Sequence, residues 1–345
     1  MIVAPPLQVR VEKGTHLFSS TPEKSCVPFS TRAWLTVCAR GLGHVPYLLL
    51  AQEGKTTRGF LPLAYLKSVL FGRFLVSMPY LNYGGVSADD PATAALLIDR
   101  AIALADELRV RFLELRHTTP VEHPRLTERP GAKVHMRLTL PATVEELWKS
   151  LRDKVRNLVR KGQKQELTVA WGAHDVLSEF YAVFSENMRD LGTPVYGRRL
   201  FAAILDQFPD GAELCVVRAG REPVAGALLL HGRGATEVPS ASSLRRFNPT
   251  GANMLMYWHL LERAARRGQR SFDFGRSSPD SPTFRFKKQW GAEPEPATWQ
   301  YYVRHGSTSE MRPDNPKYQR MIRAWQRLPL WLTRLLGPMI VRGIP

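Results

Sequence analysis

LCVVRAGREPVAGALLLHGRGATEVPSA, residues 214–241, is the stretch on which the fold turns. Leu214–Ala219 and Val224–His231 are apolar runs of strand length joined by Gly220-Arg221-Glu222-Pro223, so they predict a β-hairpin. Ala235–Ala241 predicts a third strand beside it. The loop from Arg246 to Gly251 leads into a helix predicted from Ala252 to Arg267 and closed by Gly268, and Ser271–Phe274 follows as a strand ending at Gly275. Upstream, Lys133–Thr139 reads as a strand, Val144–Lys161 as one basic helical stretch and Leu167–Trp171 as a short strand. Asp175 is placed to cap a helix whose apolar residues Val176, Phe180, Val183, Phe184 and Leu191 share a core-facing stripe, stopped by Gly192. Trp299–Val303 reads as the last strand. The order strand, helices, three antiparallel strands, helix, strand, short helix, strand predicts a mixed α/β (α+β) sheet.

The first half echoes this order. Tyr47–Gln52 and Gly59–Ala64 form a hairpin pattern around Glu53-Gly54-Lys55, and Phe71–Met78 is the third strand. The loop Asn82-Tyr83-Gly84-Gly85 precedes a helix from Ala92 to Leu108, with Leu97, Ala101, Leu104 and Leu108 on one face, and Arg111–Arg116 is the next strand. The two patterns lie about 160 residues apart, which predicts a structural repeat. Residues 117–132 carry Pro120, Pro124, Pro130 and Gly131 and suit a linker. The expected division is an N-terminal domain over 1–125, a catalytic C-terminal domain over 126–306 and a basic, aromatic tail over 307–345.

A net charge of +17 favours anionic partners: nucleic acid, phosphate-bearing substrates or an anionic membrane face. Cys26, Cys38 and Cys215 are odd in number and widely spaced, which argues against a disulfide framework and for a reducing compartment. Cys215 lies mid-strand and reads as core. The opening MIVAPPLQVR lacks an apolar signal core, and no uncharged apolar run reaches the ~18 residues of a spanning helix. Nine histidines lack ligand spacing, and no HExxH, GxSxG or Walker loop occurs, so metal and covalent mechanisms are disfavoured.

Phe272-Asp273-Phe274-Gly275-Arg276-Ser277-Ser278, the run from Thr283 to Pro294, Asn187–Tyr196, Ala241–Arg246 and Leu81-Asn82-Tyr83-Gly84-Gly85 stand out as segments. They resemble the FemAB-related proteins of exosortase/PEP-CTERM exopolysaccharide systems, and the predicted layout is similar to the GNAT fold. The resemblance implies two tandem GNAT-like domains. It also implies transfer of an acyl or aminoacyl group to an amine of a cell-envelope or exopolysaccharide precursor, the donor being aminoacyl-tRNA or acyl-CoA with no tightly bound cofactor. By the same likeness, Lys287 takes the place of the lysine that faces the donor.

The chemistry of these residues is consistent with that reading. Lys287, flanked with Lys288 by Phe286 and Trp290, follows a strand-end loop and offers a fixed cation for a tetrahedral oxyanion or a donor phosphate. Asp273 and Glu237 are rival proton acceptors on strands; a carboxylate satisfied by backbone or by Arg276 is the alternative for Asp273. The loop carrying Arg246, leading to Asn253, has one glycine and lacks the spacing of a CoA pyrophosphate loop, which weakens the CoA reading. Lys149–Lys164 carries seven cations against Asp153 alone, so Arg156 and Arg160 are candidate phosphate contacts, a solvated face being the alternative. Tyr80, Asn82 and Tyr83 in one loop, and Tyr196 and Arg199 in another, are candidate substrate contacts. Arg276, Arg285, Lys288 and Trp290 complete the set.

The tail from Lys317 to Pro345 mixes Trp325, Trp331 and five leucines with arginines, which suits either a membrane interface or a helix packed on the body. Expected partners are an anionic donor and a phosphate-bearing or lipid-linked envelope precursor, with peripheral membrane contact and no DNA. The expected location is the cytoplasm, peripheral at the inner membrane face. The rival functions are an acyl-CoA N-acyltransferase acting on an amino sugar and a non-enzymatic RNA- or membrane-binding module.

Overall fold

Alternating apolar residues in fifteen strands build two mixed sheets, seen in a computed structural model that describes residues 6–14, 30–128, 133–306 and 316–344. Two compact units result: Met1–Gly131 with Ala297–Gln319 and Met339–Pro345, and Ala132–Pro296 with Arg320–Pro338. Cys26, and the part of the predicted linker at 129–132, lie outside the described residues.

The first unit begins with β1 (Leu7–Lys13), α1 (Thr31–Leu42), β2 (Val45–Glu53), β3 (Thr56–Ser68), β4 (Gly72–Val76) and β5 (Ser87–Ala88). It continues through α2 (Pro91–Glu107), β6 (Phe112–His117) and β7 (Thr127–Glu128). α2 starts where Asp90 accepts the Thr93 N–H at 2.8 Å and Pro91 fills the first turn. Its Leu97, Ile98, Ala101 and Ile102 pack on Leu49, Leu61, Leu75 and Leu113 of the sheet, all buried. Each large aliphatic chain so buried contributes roughly 2 kcal/mol. The repeat predicted for this half lacked β1 and α1, which the structure adds.

The second unit holds β8 (Val134–Thr139), α3 (Val144–Ser150), α4 (Asp153–Gln163), β9 (Leu167–Gly172), α5 (Leu177–Asp190) and α6 (Arg198–Gln207). There follow β10 (Ala212–Ala219), β11 (Glu222–His231), β12 (Ala235–Ser243), α7 (Ala252–Arg266), β13 (Ser271–Ser277), α8 (Pro282–Gln289) and β14 (Glu293–Pro296). The helix predicted over 144–161 is two helices. A Thr143–Glu146 capping box opens α3, and Leu151 turns extended at ψ 140, which redirects the chain. α4 then lays Gly162 against Gly251, where a β-carbon on residue 162 would stand 3.0 Å from the Gly251 carbonyl oxygen. Asp175 does not cap α5; its Oδ1 accepts the Ala173 N–H at 2.7 Å, and Val176 stands at the helix start.

β15 (Thr298–Val303) returns to the first unit, pairing antiparallel with β6, so it is not the last strand of the second half as its position suggested. The sheets run β1-β2-β3-β4-β6-β15-β7, with β5 on β3, and β9-β10-β11-β12-β13-β8-β14. Position by position the two orders match: each has four antiparallel strands, a parallel neighbour, then two antiparallel strands. The predicted repeat is therefore a repeat of topology. The sixth strand of each order comes from opposite directions along the chain, β8 from before its partner and β15 from long after.

The tail folds as α9 (Pro316–Gln326) and α10 (Leu330–Val341). Its residues 320–338 pack within the second unit: Gln326 Nε2 donates to Asp190 O at 3.0 Å and Arg334 Nε to Ser185 Oγ at 2.8 Å.

The Tyr80–Gly85 loop serves the first unit's own packing. A β-carbon on Gly85 would fall 2.0 Å from His117 Cδ2, and His117 is buried with its Nδ1–H donated to Gln300 Oε1 at 2.7 Å. Gly85→Ala is expected to cost about 2 kcal/mol by overpacking, read as a drop in denaturation midpoint.

Candidate active site

In each sheet the two parallel strands pair over three residues and then part. β12 and β13 pair at Ala235–Ser271, Thr236–Phe272 and Glu237–Asp273; β4 and β6 pair at Phe74–Phe112, Leu75–Leu113 and Val76–Glu114. The gap so opened has a different fate in the two units.

In the first unit the gap is filled by residues 77–85. Ser77 N–H donates to Glu114 O, the Arg116 N–H donates to Ser77 Oγ, and the Gly84 and Gly85 N–H groups donate to Arg116 O at 2.9 and 3.0 Å. The buried Arg116 guanidinium donates to Glu114 Oε1 at 2.8 Å and Leu81 O at 2.7 Å, and lies 4.0 Å over the Trp299 ring. Tyr80 OH and His44 Nε2 share a hydrogen bond of 2.9 Å, Asn82 O accepts the Trp299 indole N–H at 3.2 Å, and Tyr83 is buried. These three predicted substrate contacts thus hold their own loop.

In the second unit the gap is bordered by charge. Glu237 and Asp273, both 3% exposed, are register partners, and Arg137 on β8 is the partner of Asp273. Directly paired residues project from the same sheet face, so the three side chains form a row. Arg137 Nη2 lies 3.8 Å from Asp273 Oδ2 and Nη1 3.1 Å from Glu295 Oε2.

Beyond Asp273 the strand bulges. Phe274 and Gly275 stand against one residue of β8, and Gly275 takes φ 75, a left-handed conformation suited to glycine. Asp273 Oδ1 accepts the Gly275 N–H at 2.7 Å. From the other side Lys287 Nζ donates to Gly275 O at 3.1 Å and Arg276 O at 3.0 Å. Gly275→Ala is expected to cost about 1–2 kcal/mol through the positive φ and to displace both carbonyls that Lys287 holds; a midpoint as high as wild type would refute the strain.

Lys287 sits in the last turn of α8, the short helix expected after the strand at 271–274. Ser281 accepts the Phe284 N–H at 3.2 Å and Pro282 starts the helix, which fixes its phase. Phe286 and Trp290 go to the core against Tyr257, with ring centroids 4.9 and 6.1 Å from it. That phase buries Lys287 to 9% exposure beside the bulge. Burial pushes its ammonium down to about 8 from 10.5, against the pull of Asp273, while Lys133 and Arg276 add to the lowering. His135 on β8 is 2% exposed and pushed down to about 3 by burial first, then by Arg276, Arg137 and Lys287. It is neutral at working pH.

The remaining predicted residues fall outside this cluster or at its rim. Arg276 follows Gly275 on the bulged strand and is half-buried. Lys288 is exposed, its Nζ 5.9 Å over the Phe284 ring, and Arg285 is exposed as well. Trp290 is 1% exposed and belongs to the core rather than to a pocket wall. Arg246 is held by Glu186 and by Glu222, the latter at 2.6 Å. Arg156 pairs with Asp153 and Arg160 lies exposed 5.5 Å over Trp148. Arg199 is exposed on α6, Tyr196 is half-buried before it, and Asn253 is half-buried in the first turn of α7. Cys215 is fully buried and its thiol is raised by desolvation, so it is core, as its strand position implied.

Arg137 and His135 are the site residues that the sequence reading missed. The signal was present: two polar residues at alternate positions in VHMRLT, residues 134–139, whose other positions are mostly apolar.

The start of α7 is occupied by the chain itself. Thr250 Oγ1 accepts the Ala252 N–H at 3.2 Å. Gly251 faces the last turn of α4, where an added β-carbon would meet Gly162 N at 3.2 Å and Leu158 O at 3.3 Å. Among the described residues no three His, Cys, Asp or Glu side chains gather as a metal site.

Comparison with known proteins bears on the fold. Residues 149–288 match the family model described as an acetyltransferase (GNAT) domain, a span that contains Glu237, Asp273 and Lys287. Among solved structures the fold is similar to that of FemX, at 15% identity and TM-score 0.60 over 90% of this chain and 100% of that one. It is similar to the C-terminal domain of a putative lysylphosphatidylglycerol synthetase from Agrobacterium fabrum, at 12% identity and TM-score 0.51 over 72% and 82%. A tandem GNAT protein from the clavulanic acid biosynthesis pathway matches at 10% identity and TM-score 0.51 over 87% and 100%. At such identities the likeness is one of fold. No curated protein sequence matches the chain. Residues 149–288 thus match a GNAT acetyltransferase domain, and the chain as a whole has a fold similar to that of tandem GNAT proteins.

Proposed function

We propose that the second unit transfers an aminoacyl group from an ester donor, aminoacyl-tRNA, to an amine on a phosphate-bearing cell-envelope precursor. The observation that carries this is the buried Lys287 ammonium, held on the β13 bulge that follows the buried Asp273, itself the register partner of buried Glu237. Two of its three N–H groups hold the bulge, which leaves one for a ligand. The acceptor nitrogen attacks the donor carbonyl carbon and gives a proton to Glu237. The developing oxyanion is stabilised by Lys287. Collapse breaks the ester bond, the proton on Glu237 goes to the leaving 3′-hydroxyl oxygen, and an amide remains. Asp273 acts by position, because its oxygens hold Gly275 and face Arg137.

An ester donor is favoured over acyl-CoA by the start of α7. A pyrophosphate there would compete with the Thr250 hydroxyl and with the carbonyl end of α4. Exposed Arg152, Lys154, Arg160, Lys161 and Lys164 along α4, with a net charge of +17, suit a polyphosphate chain instead. The envelope acceptor follows from the resemblance, which runs over most of Asn82 to Tyr302; an exopolysaccharide amino sugar is the second acceptor it suggests.

The test is transfer from labelled aminoacyl-tRNA, and in parallel thiol release from acyl-CoA, with amino-sugar and peptidyl-amine acceptors. Amide product from tRNA that depends on the acceptor is expected. Thiol release with an untouched tRNA ester would overturn the donor assignment.

A further inference from the structure

Four neighbouring strands of the first unit end together and bring a line of cations to one edge of its sheet. β3, β4, β6 and β15 lie side by side in that order. At their shared end stand Lys67 on β3 and Arg73 on β4, which are register partners. Arg109 stands in the turn from α2 to β6, with φ 52, and Arg304 directly follows β15. All four are exposed. Adjacent strands lie about 4.8 Å apart, so the line spans roughly 14 Å.

Arg111 builds this edge. Its backbone N–H donates to Arg73 O at 2.8 Å, and its carbonyl accepts the Arg304 and His305 N–H groups at 3.0 Å each. Its Nη1 donates to Phe71 O at 3.4 Å. β-Carbons on Gly72 and Gly306 would stand 3.0 Å from its Cδ and 2.9 Å from its Nη2. The β3–β4 turn, the lead into β6 and the exit of β15 are thereby tied into one surface.

The acids nearby are met by other groups. Asp106, at the end of α2, accepts from Tyr302 OH at 3.0 Å and faces Arg125 at 3.7 Å, while Glu107 pairs with Arg100 at 2.9 Å. Arg304 shares Asp106 at 3.4 Å. Lys67, Arg73 and Arg109 form no ion pair among the described residues. Like charges set side by side repel, and an anion laid along them relieves the repulsion.

We propose that this edge of the first unit binds the phosphate backbone of an RNA, the body of the tRNA named above as donor; the identity of the RNA rests on that donor reading. Three of the four cations are Arg, whose planar fork meets two oxygens of one phosphate. A nucleic-acid strand presents its phosphates in a line, as the strand ends present the cations. Contact of this kind fixes the position of the RNA and carries no base preference. A bilayer is disfavoured, because its headgroups spread over an area rather than along a line.

The test is binding of labelled deacylated tRNA to the full chain across a salt series, read by fluorescence anisotropy. Lys67→Gln, Arg73→Gln and Arg109→Gln together are expected to weaken binding at least about tenfold at ~0.15 M salt and to lower the slope of log K against log salt by about 2. These side chains are exposed, so the denaturation midpoint should match wild type; if it shifts, the pair Lys67→Gln, Arg73→Gln takes its place. Removal of three exposed cations elsewhere in the unit, by Arg32→Gln, Arg40→Gln and Lys55→Gln, should change affinity by about twofold at most. Equal losses from the two sets would show net charge alone at work and overturn the proposal. So would a triple variant that keeps wild-type affinity, or one that keeps it while losing flotation on phosphatidylglycerol vesicles, which would make the edge a membrane surface. Aminoacyl transfer is measured beside binding. Wild type that binds tRNA through these cations but makes no amide supports the surface and overturns the donor reading. Amide made by the triple variant at wild-type KM overturns the surface and leaves the donor reading intact.

Discussion

Lys287→Met is expected to lower the aminoacyl-transfer rate by about 10²–10³-fold, the scale of losing a preorganised charge beside an oxyanion. The chain should still fold. Met fills the space, and the cost of two carbonyls losing their donor, about 1–3 kcal/mol, is offset by removal of a buried charge. The pH dependence separates two roles for the lysine. As a cation it must be protonated, so the rate should fall as pH rises through about 8, the value to which burial lowers it. As a proton acceptor it must be neutral, and the rate would climb over the same range. Lys287→Arg keeps the charge and should remove the alkaline limb. Stability carries its own signature. Below about 8 the ammonium is charged in both states and the native state bears the full burial cost. Between about 8 and 10.5 the unfolded chain holds a proton that the native chain has released, so stability rises with pH, and it levels off above. Lys287→Met should abolish that rise, which urea midpoints measured across the interval would reveal.

Glu237→Gln is expected to reduce kcat by about 10²–10⁴-fold, the range for loss of a positioned proton acceptor, with little change in midpoint. Asp273→Asn should behave differently. Its Oδ1 secures the Gly275 N–H and its Oδ2 faces Arg137, so the amide loosens the bulge and leaves Arg137 with less compensation. A stability loss of about 1–3 kcal/mol with a smaller fall in kcat is the anticipated result. Should the Asp273 variant keep its midpoint and lose the rate while the Glu237 variant stays active, the proton acceptor is Asp273 and the assignment must be exchanged.

The contrast between the units explains why these changes fall in one sheet. Glu114 occupies in β6 the place that Asp273 occupies in β13. In the first unit Arg116 neutralises Glu114 and the 77–85 loop bonds into the gap, so that carboxylate is consumed by structure. In the second unit β13 carries Gly275 two residues on, where the first has Arg116. The glycine lets the strand bulge instead of sealing itself.

Local pattern reached far in this chain. The hairpin of residues 212–231, the helices around Leu97 and Leu255, and the repeat itself were legible because strand and helix periodicities depend on neighbours within a few residues. The aromatic flanks of Lys287 marked it as a candidate without showing its burial, and the poor fit of the Arg246–Gly251 loop to a pyrophosphate was visible in its single glycine. Strand alternation gives the face of a residue but not the strand beside it, and that limit marks what tertiary structure alone decided. β15 joins β6, across nearly two hundred residues, and β8, paired along β13 on the edge opposite β12, brings His135 and Arg137 beside Asp273 and Arg276. The break at Leu151 is likewise tertiary: α4 turns there to set Gly162 on Gly251, a close approach between segments ninety residues apart that no local propensity encodes.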